Sequence, residues 1–170
     1  MTTPSIDISP VGRGKPNPSP LQASAHRPLL FTPITLKGVT ARNRVVVSPM
    51  SQYASIDGGS TDWHLVHLGH FAMGGAGIVF CEETSVAELA RKTYSCPGIY
   101  TDAQVKASRR TTEFIKEMGA VPALQLGHAG RKVATKPPWE GFAPLTEEDA
   151  KDGKPPYQGL SASPVPTSEQ

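Results

Sequence analysis

Three short apolar runs, separated by two segments of helical pattern, constrain the fold of this chain most strongly. The runs cover residues 45–47, 76–81 and 121–126, and polar residues follow each of them. Apolar runs of this length are typical of strands buried on both faces of a sheet. The intervening segments, 63–73 and 102–118, are long enough to be crossover helices. This order predicts parallel βαβ units with right-handed crossovers, and so an α/β protein.

Helix start and stop signals support the same division. Thr61 or Asp62 is a suitable N-cap for the first helix, and Thr101 or Asp102 for the second, because their side chains can accept from free backbone N–H groups. A glycine follows each helical segment, as expected where a helix ends. The N-terminal Lys37-Gly38 turn predicts a small β-hairpin before the first βα unit.

Composition divides the chain into three parts. Residues 1–27 are dominated by Ser, Pro, Gly, Arg and Lys with few aliphatic side chains, and predict a flexible N-terminal arm. Residues 28–135 hold the hairpin and the strand–helix units. Residues 136–170 form a Pro-rich excursion in which we expect no further strand or helix. The 17 prolines of the 170 residues gather toward the two ends, so the middle is the better core-forming material.

Several classes of function fit this composition poorly. A net charge of +2 gives no basic field that would favour nucleic-acid binding. No apolar run approaches the ~18 residues of a membrane span, and the N-terminus has no secretory signal pattern. Cys81 and Cys96 are the two cysteines. We expect reduced thiols in a cytoplasmic protein, with a disulfide as the less favoured alternative.

Polar side chains follow each predicted strand. Because the carboxyl ends of parallel strands meet at one edge of a sheet, such side chains are the expected active-site arrangement of a βα barrel. The alternative is that any βα loop is polar. The residues are Ser48 and Ser51 after the first strand, Glu82 and Glu83 after the second, and Gln125, His128 and Arg131 after the third.

Gln125 lies between two leucines in the third apolar run. A buried amide without hydrogen-bond partners costs about 1–3 kcal/mol, so this residue needs a partner if it is buried. One amide donates and accepts at once, which suits the paired N–H and C=O edge of a flavin or a base. The alternative is a glutamine that faces solvent on an edge strand.

Three histidines in the first helix, His64, His67 and His70, resemble a metal-ligand cluster. His64 and His67 share a helix face, but His70 is rotated away from His64. No cysteine or carboxylate completes a ligand set at suitable spacing. We therefore predict no metal site and expect packing and hydrogen-bonding histidines.

Five motifs resemble the Old Yellow Enzyme family of FMN-dependent ene-reductases, and most closely its thermophilic-like, YqjM-type branch. The similarity covers residues 29 to about 142, and the last motif is the most specific. The motifs are Leu-Phe-x-Pro-Ile-Thr-Leu-Lys-Gly at 30–38, Arg-Asn-Arg at 42–44, Ser-Pro-Met-Ser-Gln-Tyr at 48–53, Thr-Asp-Trp-His-Leu-Val-His at 61–67 and Gln-Leu-Gly-His-Ala-Gly-Arg-Lys at 125–132.

The resemblance implies a TIM (α/β)8 barrel with FMN at the carboxyl ends of its strands, of which this chain would be the N-terminal part. It implies reduction of FMN by NADPH or NADH and hydride transfer from flavin N5 to an activated alkene. A homo-oligomer is possible in the full-length family. By position, the resemblance assigns Ser48, Pro49, Met50, Ser51, Glu83 and Gln125 to FMN, Tyr53 to catalysis and substrate, and His128 and Arg131 to substrate.

Two residues depart from the family pattern. Ser51 stands where this branch usually has a cysteine that tunes the flavin potential. Glu83 stands where the family usually has a small alanine beside the flavin, and its charge would repel electron density on reduced FMN.

Three strands do not close a barrel, which typically takes about 250 residues. We therefore expect an N-terminal piece of an ene-reductase whose activity needs the missing half. The second hypothesis is a non-catalytic remnant that binds flavin weakly or acts only as a partner subunit. An unrelated nucleotide-binding α/β domain is the third, weakened by the lack of a Gly-rich fingerprint after a strand.

Overall fold

The computed structural model describes residues 27–163 and 165. The predicted N-terminal arm lies outside the described residues, except for Arg27. The description begins with a hairpin of two antiparallel strands, β1 (Ile34–Leu36) and β2 (Val39–Ala41). Lys37 at the turn has a φ of 53°, a left-handed conformation that the two-residue connection requires. The predicted hairpin is thus present.

A parallel three-stranded sheet follows, in the order β3 (Val46–Val47), β4 (Ile78–Ser85) and β5 (Val121–Gly127). Helix α1 (Asp62–Met73) connects β3 to β4, and helix α2 (Asp102–Glu117) connects β4 to β5. This is the predicted alternation of strands and crossover helices. No helix among the described residues has the length and apolar character needed to cross a bilayer.

Strand β4 differs from its prediction, because it begins later and runs four residues past Cys81. Its pairing with β5 continues beyond a register shift between Cys81 and Glu83. A bulge of this kind re-aims side chains without ending the strand. Glu82 and Glu83 consequently lie within the strand rather than in the loop after it.

The core lies between the sheet and the two helices. It is centred on Val79, which is fully buried, and on Leu68 of α1 and Ile115 of α2. The helices approach closely at Gly69, where a Cβ would lie 2.8 Å from a ring carbon of Phe114. Val105 of α2 lies outside this core and is 42% exposed.

Arg42 joins the amino edge of the sheet to the carboxyl ends of both helices. Its guanidinium donates to the carbonyl oxygens of Ala72 at 2.8 Å, Ala76 at 3.0 Å and Met118 at 2.8 Å. The last carbonyls of a helix have no partner within the helix and carry its partial negative charge. One side chain therefore satisfies the ends of both helices and fixes them on the sheet.

Candidate active site at the carboxyl edge of the sheet

The carboxyl ends of β3, β4 and β5 lie along one edge of the parallel sheet. The 48–53 segment leaves β3 at this edge, and Gln125 lies beside Glu83 in the pairing of β5 with β4. The 48–53 segment, Glu83 and Gln125 therefore belong to one edge. This is the arrangement in which α/β proteins bind ligands.

The 48–53 segment presents main-chain groups that the protein leaves unpaired. Within the described residues, the N–H groups of Ser48, Met50 and Ser51 have no hydrogen-bond partner. The side chain of Gln52 fixes the segment by donating to the carbonyl of Met50 at 2.9 Å. Tyr53 then has a φ of 53°, a left-handed conformation unusual for a bulky residue.

Glu82 holds the same segment in position, together with His64. Its Oε2 accepts from the backbone N–H of Gln52 at 2.8 Å, and its Oε1 lies 3.1 Å from Nε2 of His64. His64 Nδ1 accepts from the N–H of Thr61 at 3.0 Å, so Nε2 carries the ring proton and donates to the carboxylate. Both side chains are buried.

Sequence reasoning missed this pair, because it placed Glu82 after the second strand rather than within it. The available signal was the spacing of Thr61 and His64, which form a capping box at the start of α1. A histidine that closes a capping box points its other nitrogen away from the helix end. In this structure that nitrogen meets Glu82.

Glu83, the next residue, forms an ion pair with Lys92. Lys92 Nζ lies 3.1 Å from Glu83 Oε2, and about a quarter of each side chain is exposed. Burial lowers the pKa of Lys92, but the hydrogen bond and charge of Glu83 outweigh burial and raise this pKa above its usual value. The carboxylate is thus neutralised within the protein, which the sequence did not predict.

Gln125 is exposed on β5, the edge strand of the described sheet, and its amide has no hydrogen-bond partner among the described residues. Because Gln125 is not buried, its amide does not need a hydrogen-bond partner within the protein. Its amide is free to bind a ligand, and its role stays a prediction.

Aromatic side chains from the Pro-rich excursion border Tyr53. The rings of Trp139 and Phe142 contact the Tyr53 ring edge-on, with centroids 5.8 Å and 6.2 Å away. Their loop is closed by a β-bridge between Thr135 and Pro144. The excursion therefore contains short-range order that the sequence did not predict, and it packs beside the candidate site.

His128 and Arg131 follow β5 but contact other groups. His128 Nδ1 accepts from the N–H of Gly130 at 3.0 Å, and Arg131 donates to Ser163 Oγ at 3.2 Å. Both side chains are exposed. No hydrogen bond joins either of them to Tyr53 or Gln125 within the described part of the chain.

The other two histidines of α1 pack against an aromatic ring. The rings of His67 and His70 both meet Phe71 edge-on. Burial lowers the pKa of His67, against the raising effect of the Glu82 charge. No group of three potential metal ligands occurs among residues 27–163.

Comparison with known proteins places these features in a family context. The sequence model of the NADH:flavin oxidoreductase / NADH oxidase family matches residues 29–153. An NADH:flavin oxidoreductase from Gibberella zeae is 41% identical over 110 residues, which cover 65% of this chain and 27% of that protein. An NADPH dehydrogenase from Bacillus cytotoxicus is 45% identical over 105 residues, covering 61% and 30%. This chain thus spans less than a third of the length of these relatives.

Solved structures support the same fold. Morphinone reductase is 27% identical with a TM-score of 0.61, covering 83% of this chain and 41% of that one. The old yellow enzyme homologue from Zymomonas mobilis is 27% identical with a TM-score of 0.59, covering 81% and 40%. The old yellow enzyme from Trypanosoma cruzi, at 24% identity and a TM-score of 0.63, shares the fold. The predicted fold class, the N-terminal part of a TIM barrel, is confirmed.

Proposed function

Because this chain belongs to the NADH:flavin oxidoreductase / NADH oxidase family, we propose that it binds FMN at the carboxyl edge of its sheet and serves the reduction of activated alkenes. Bound FMN would supply the hydride chemistry, from NADPH or NADH to a carbon–carbon double bond conjugated to an electron-withdrawing group. The chain's own residues bind, orient and shield the reacting groups.

The observation that carries this proposal is a set of unpaired polar groups on one edge. The Gln125 amide and the N–H groups of Ser48, Met50 and Ser51 have no partner within the described residues. A flavin pyrimidine ring has alternating N–H and C=O groups, which an amide can meet with its donor and acceptor together. Main-chain donors at the same edge would stabilise negative charge on the ring. The residues present therefore fit the cofactor.

Proline and methionine complete the proposed contact surface. Pro49 is half-buried and lacks an N–H, and Met50 is 45% exposed with a polarizable thioether. Both suit van der Waals contact with a flat ring. Ser51 offers a hydroxyl where this branch of the family usually has a thiol, so we expect a flavin potential that differs from the branch norm.

Tyr53 is proposed as the residue that reaches the substrate. Its ring contacts the rings of Trp139 and Phe142 edge-on, and these contacts limit its freedom. A phenol donates a hydrogen bond to the carbonyl or nitro oxygen that activates an alkene. His128 and Arg131 are proposed to bind the substrate from the loop after β5.

Turnover is proposed to need further barrel strands, because the chain matches less than a third of its curated relatives. A second candidate function is a flavin-binding or partner subunit without turnover of its own. The exposed edge strand favours it: Leu124 is 39% and Leu126 is 63% exposed on β5. An uncovered apolar edge of this kind is a surface for pairing with another strand.

Titration of the purified chain with FMN tests the proposal. We expect quenching of flavin fluorescence, with about tenfold weaker binding for Gln125→Leu, as loss of one to two hydrogen bonds implies. Gln158→Leu, at an exposed glutamine of the excursion, is the matched control and should leave binding unchanged. Absence of FMN binding would reject the proposal. Binding with NADPH oxidation in the presence of 2-cyclohexenone supports the enzyme, and binding without it supports the second candidate.

A further inference from the structure

Glu83 is the most unexpected charge at the proposed flavin site. It lies beside Gln125 in the register of β4 and β5, and adjacent strands are about 4.8 Å apart. Its side chain extends across β5, where a Cβ on Gly127 would collide with the Glu83 Cγ and carboxylate. The absence of a side chain at Gly127 gives the carboxylate this path.

Lys92 meets the carboxylate at the end of that path, with Nζ 3.1 Å from Oε2. The backbone of Lys92 is fixed too, because its carbonyl accepts from the N–H of Thr135 at 2.9 Å and from the Thr135 hydroxyl at 3.0 Å. Burial lowers and Glu83 raises the pKa of Lys92, with a net rise. The lysine is therefore charged at neutral pH and held next to Glu83.

An unpaired carboxylate beside Gln125 would oppose the negative charge that a flavin gains on reduction. Opposite charges at this distance largely cancel their field at a third site, whereas one charge alone does not. About three quarters of both side chains are shielded from solvent, so salt screens them less than a surface pair.

We propose that Lys92 is a positioning residue that neutralises Glu83 and thereby holds the reduction potential of the bound flavin. This inference rests on the proposed function, because it requires FMN beside Gln125. It assigns a role to a loop residue between β4 and α2 and accounts for the tolerance of an acidic residue at position 83.

The test uses two single variants that change the charge beside the flavin in opposite directions. In Lys92→Met, Glu83 keeps a negative charge without its partner, so reduced FMN is disfavoured and the two-electron potential falls. In Glu83→Gln, Lys92 keeps its positive charge, so the potential rises. The double variant is neutral and should return close to the parent. A tenfold change in the relative affinity for reduced and oxidised FMN corresponds to about 30 mV, and we expect each single variant to shift by about that amount.

The measurement is equilibrium reduction of the FMN-loaded full chain against a reference dye. Lys136→Met is the matched control, since Lys136 is also 27% exposed and paired with a carboxylate, that of Asp149. It should leave the potential unchanged. Shifts of the same sign in both single variants, or no shift in either, would overturn the inference and leave only a structural ion pair.

A second readout needs no flavin. In the FMN-free chain, the Nζ titration of Lys92 followed by NMR should move to lower pH in Glu83→Gln, and an unmoved titration would also overturn the pairing on which the inference depends. Failure of the proposed function has a different signature. The parent chain would not bind FMN at all, and the inference would fall with it, whereas binding with unshifted potentials rejects the inference alone.

Discussion

The ring nitrogen Nε2 of His64 lies 3.1 Å from a carboxylate oxygen of Glu82, and each side chain is 1% exposed. The two residues come from the first turn of α1 and from β4, so their hydrogen bond joins a helix to the sheet. The other Glu82 oxygen holds the N–H of Gln52. A buried pair thus sets the position of the 48–53 segment, which carries four of the proposed FMN contacts.

Removal of the histidine should be costly for this reason. His64→Ala leaves a buried carboxylate without its main partner, and we expect the free energy of unfolding to fall by about 3 kcal/mol. Urea denaturation followed by circular dichroism measures it. Arg110→Met removes the exposed ion pair with Asp62 and should cost less than about 1 kcal/mol. Equal losses in the two variants would contradict the structural role of His64.

A methyl group at position 127 should lower the free energy of unfolding because it would collide with the Glu83 side chain. In Gly127→Ala the new Cβ meets the Glu83 side chain, and overpacking of this kind costs about 1–3 kcal/mol. Glu83→Ala in the same chain removes the obstacle, so the double variant should recover most of the loss. Thermal unfolding of the four chains gives the coupling. Gly38→Ala, where no atom lies within 4 Å, is the control and should be near neutral. Strict additivity at 83 and 127 would refute the contact.

Acid should lower the stability of the Pro-rich excursion through the protonation of Asp149. Hydrogen bonds from Lys136 and from the Thr146 N–H and hydroxyl lower the pKa of Asp149 from 3.8 to about 2. A lowered folded-state pKa stabilises the folded form above pH 4, and this contribution disappears as the pH falls from about 4 to 2. The stability difference between the parent and Asp149→Asn should therefore shrink over that range. An NMR titration of the Asp149 carboxyl near pH 3.8 would show that these bonds do not form in solution.

The Cys81 thiol should react slowly with alkylating agents. Burial, with the charge of Glu82, raises the pKa of this thiol to about 11, and the thiolate is the reactive form. At pH 8 the thiolate fraction is then about two hundredfold below that of an ordinary cysteine with a pKa near 8.5. Iodoacetamide labelling read by peptide mass should be correspondingly slow in the folded chain and fast in urea. Rapid labelling of the half-buried Cys81 without denaturant would contradict the raised pKa of its thiol.

Local sequence patterns were sufficient to predict the helices, the strands and their order. The N-cap at Thr101 was predictable because its side chain bonds the N–H of Gln104, three residues on. Strand order followed from the alternation of apolar runs with helices, since each crossover brings the next strand beside the last. These features depend on neighbours in sequence or on chain topology alone.

The site was less predictable because its contacts depend on side-chain direction. The register shift after Cys81 turns Glu82 toward His64 and Glu83 toward Lys92, and no sequence period marks a bulge. Trp139 lies 86 residues after Tyr53, and its ring contact depends on the path of a Pro-rich loop. Sequence therefore predicted the three strands and their order, but not where β4 ends or which of its polar side chains the protein already pairs.

The hydrogen bonds of Arg42 to the two helix ends affect the order in which the chain can fold during synthesis. The arginine leaves the ribosome before all three of its carbonyl acceptors, the last of which belongs to Met118. Until that residue emerges, the guanidinium has at most the partners at Ala72 and Ala76. The nascent chain can therefore form all of the Arg42 hydrogen bonds only after α2 has been synthesised. We expect the two βα units to fold together rather than one after the other.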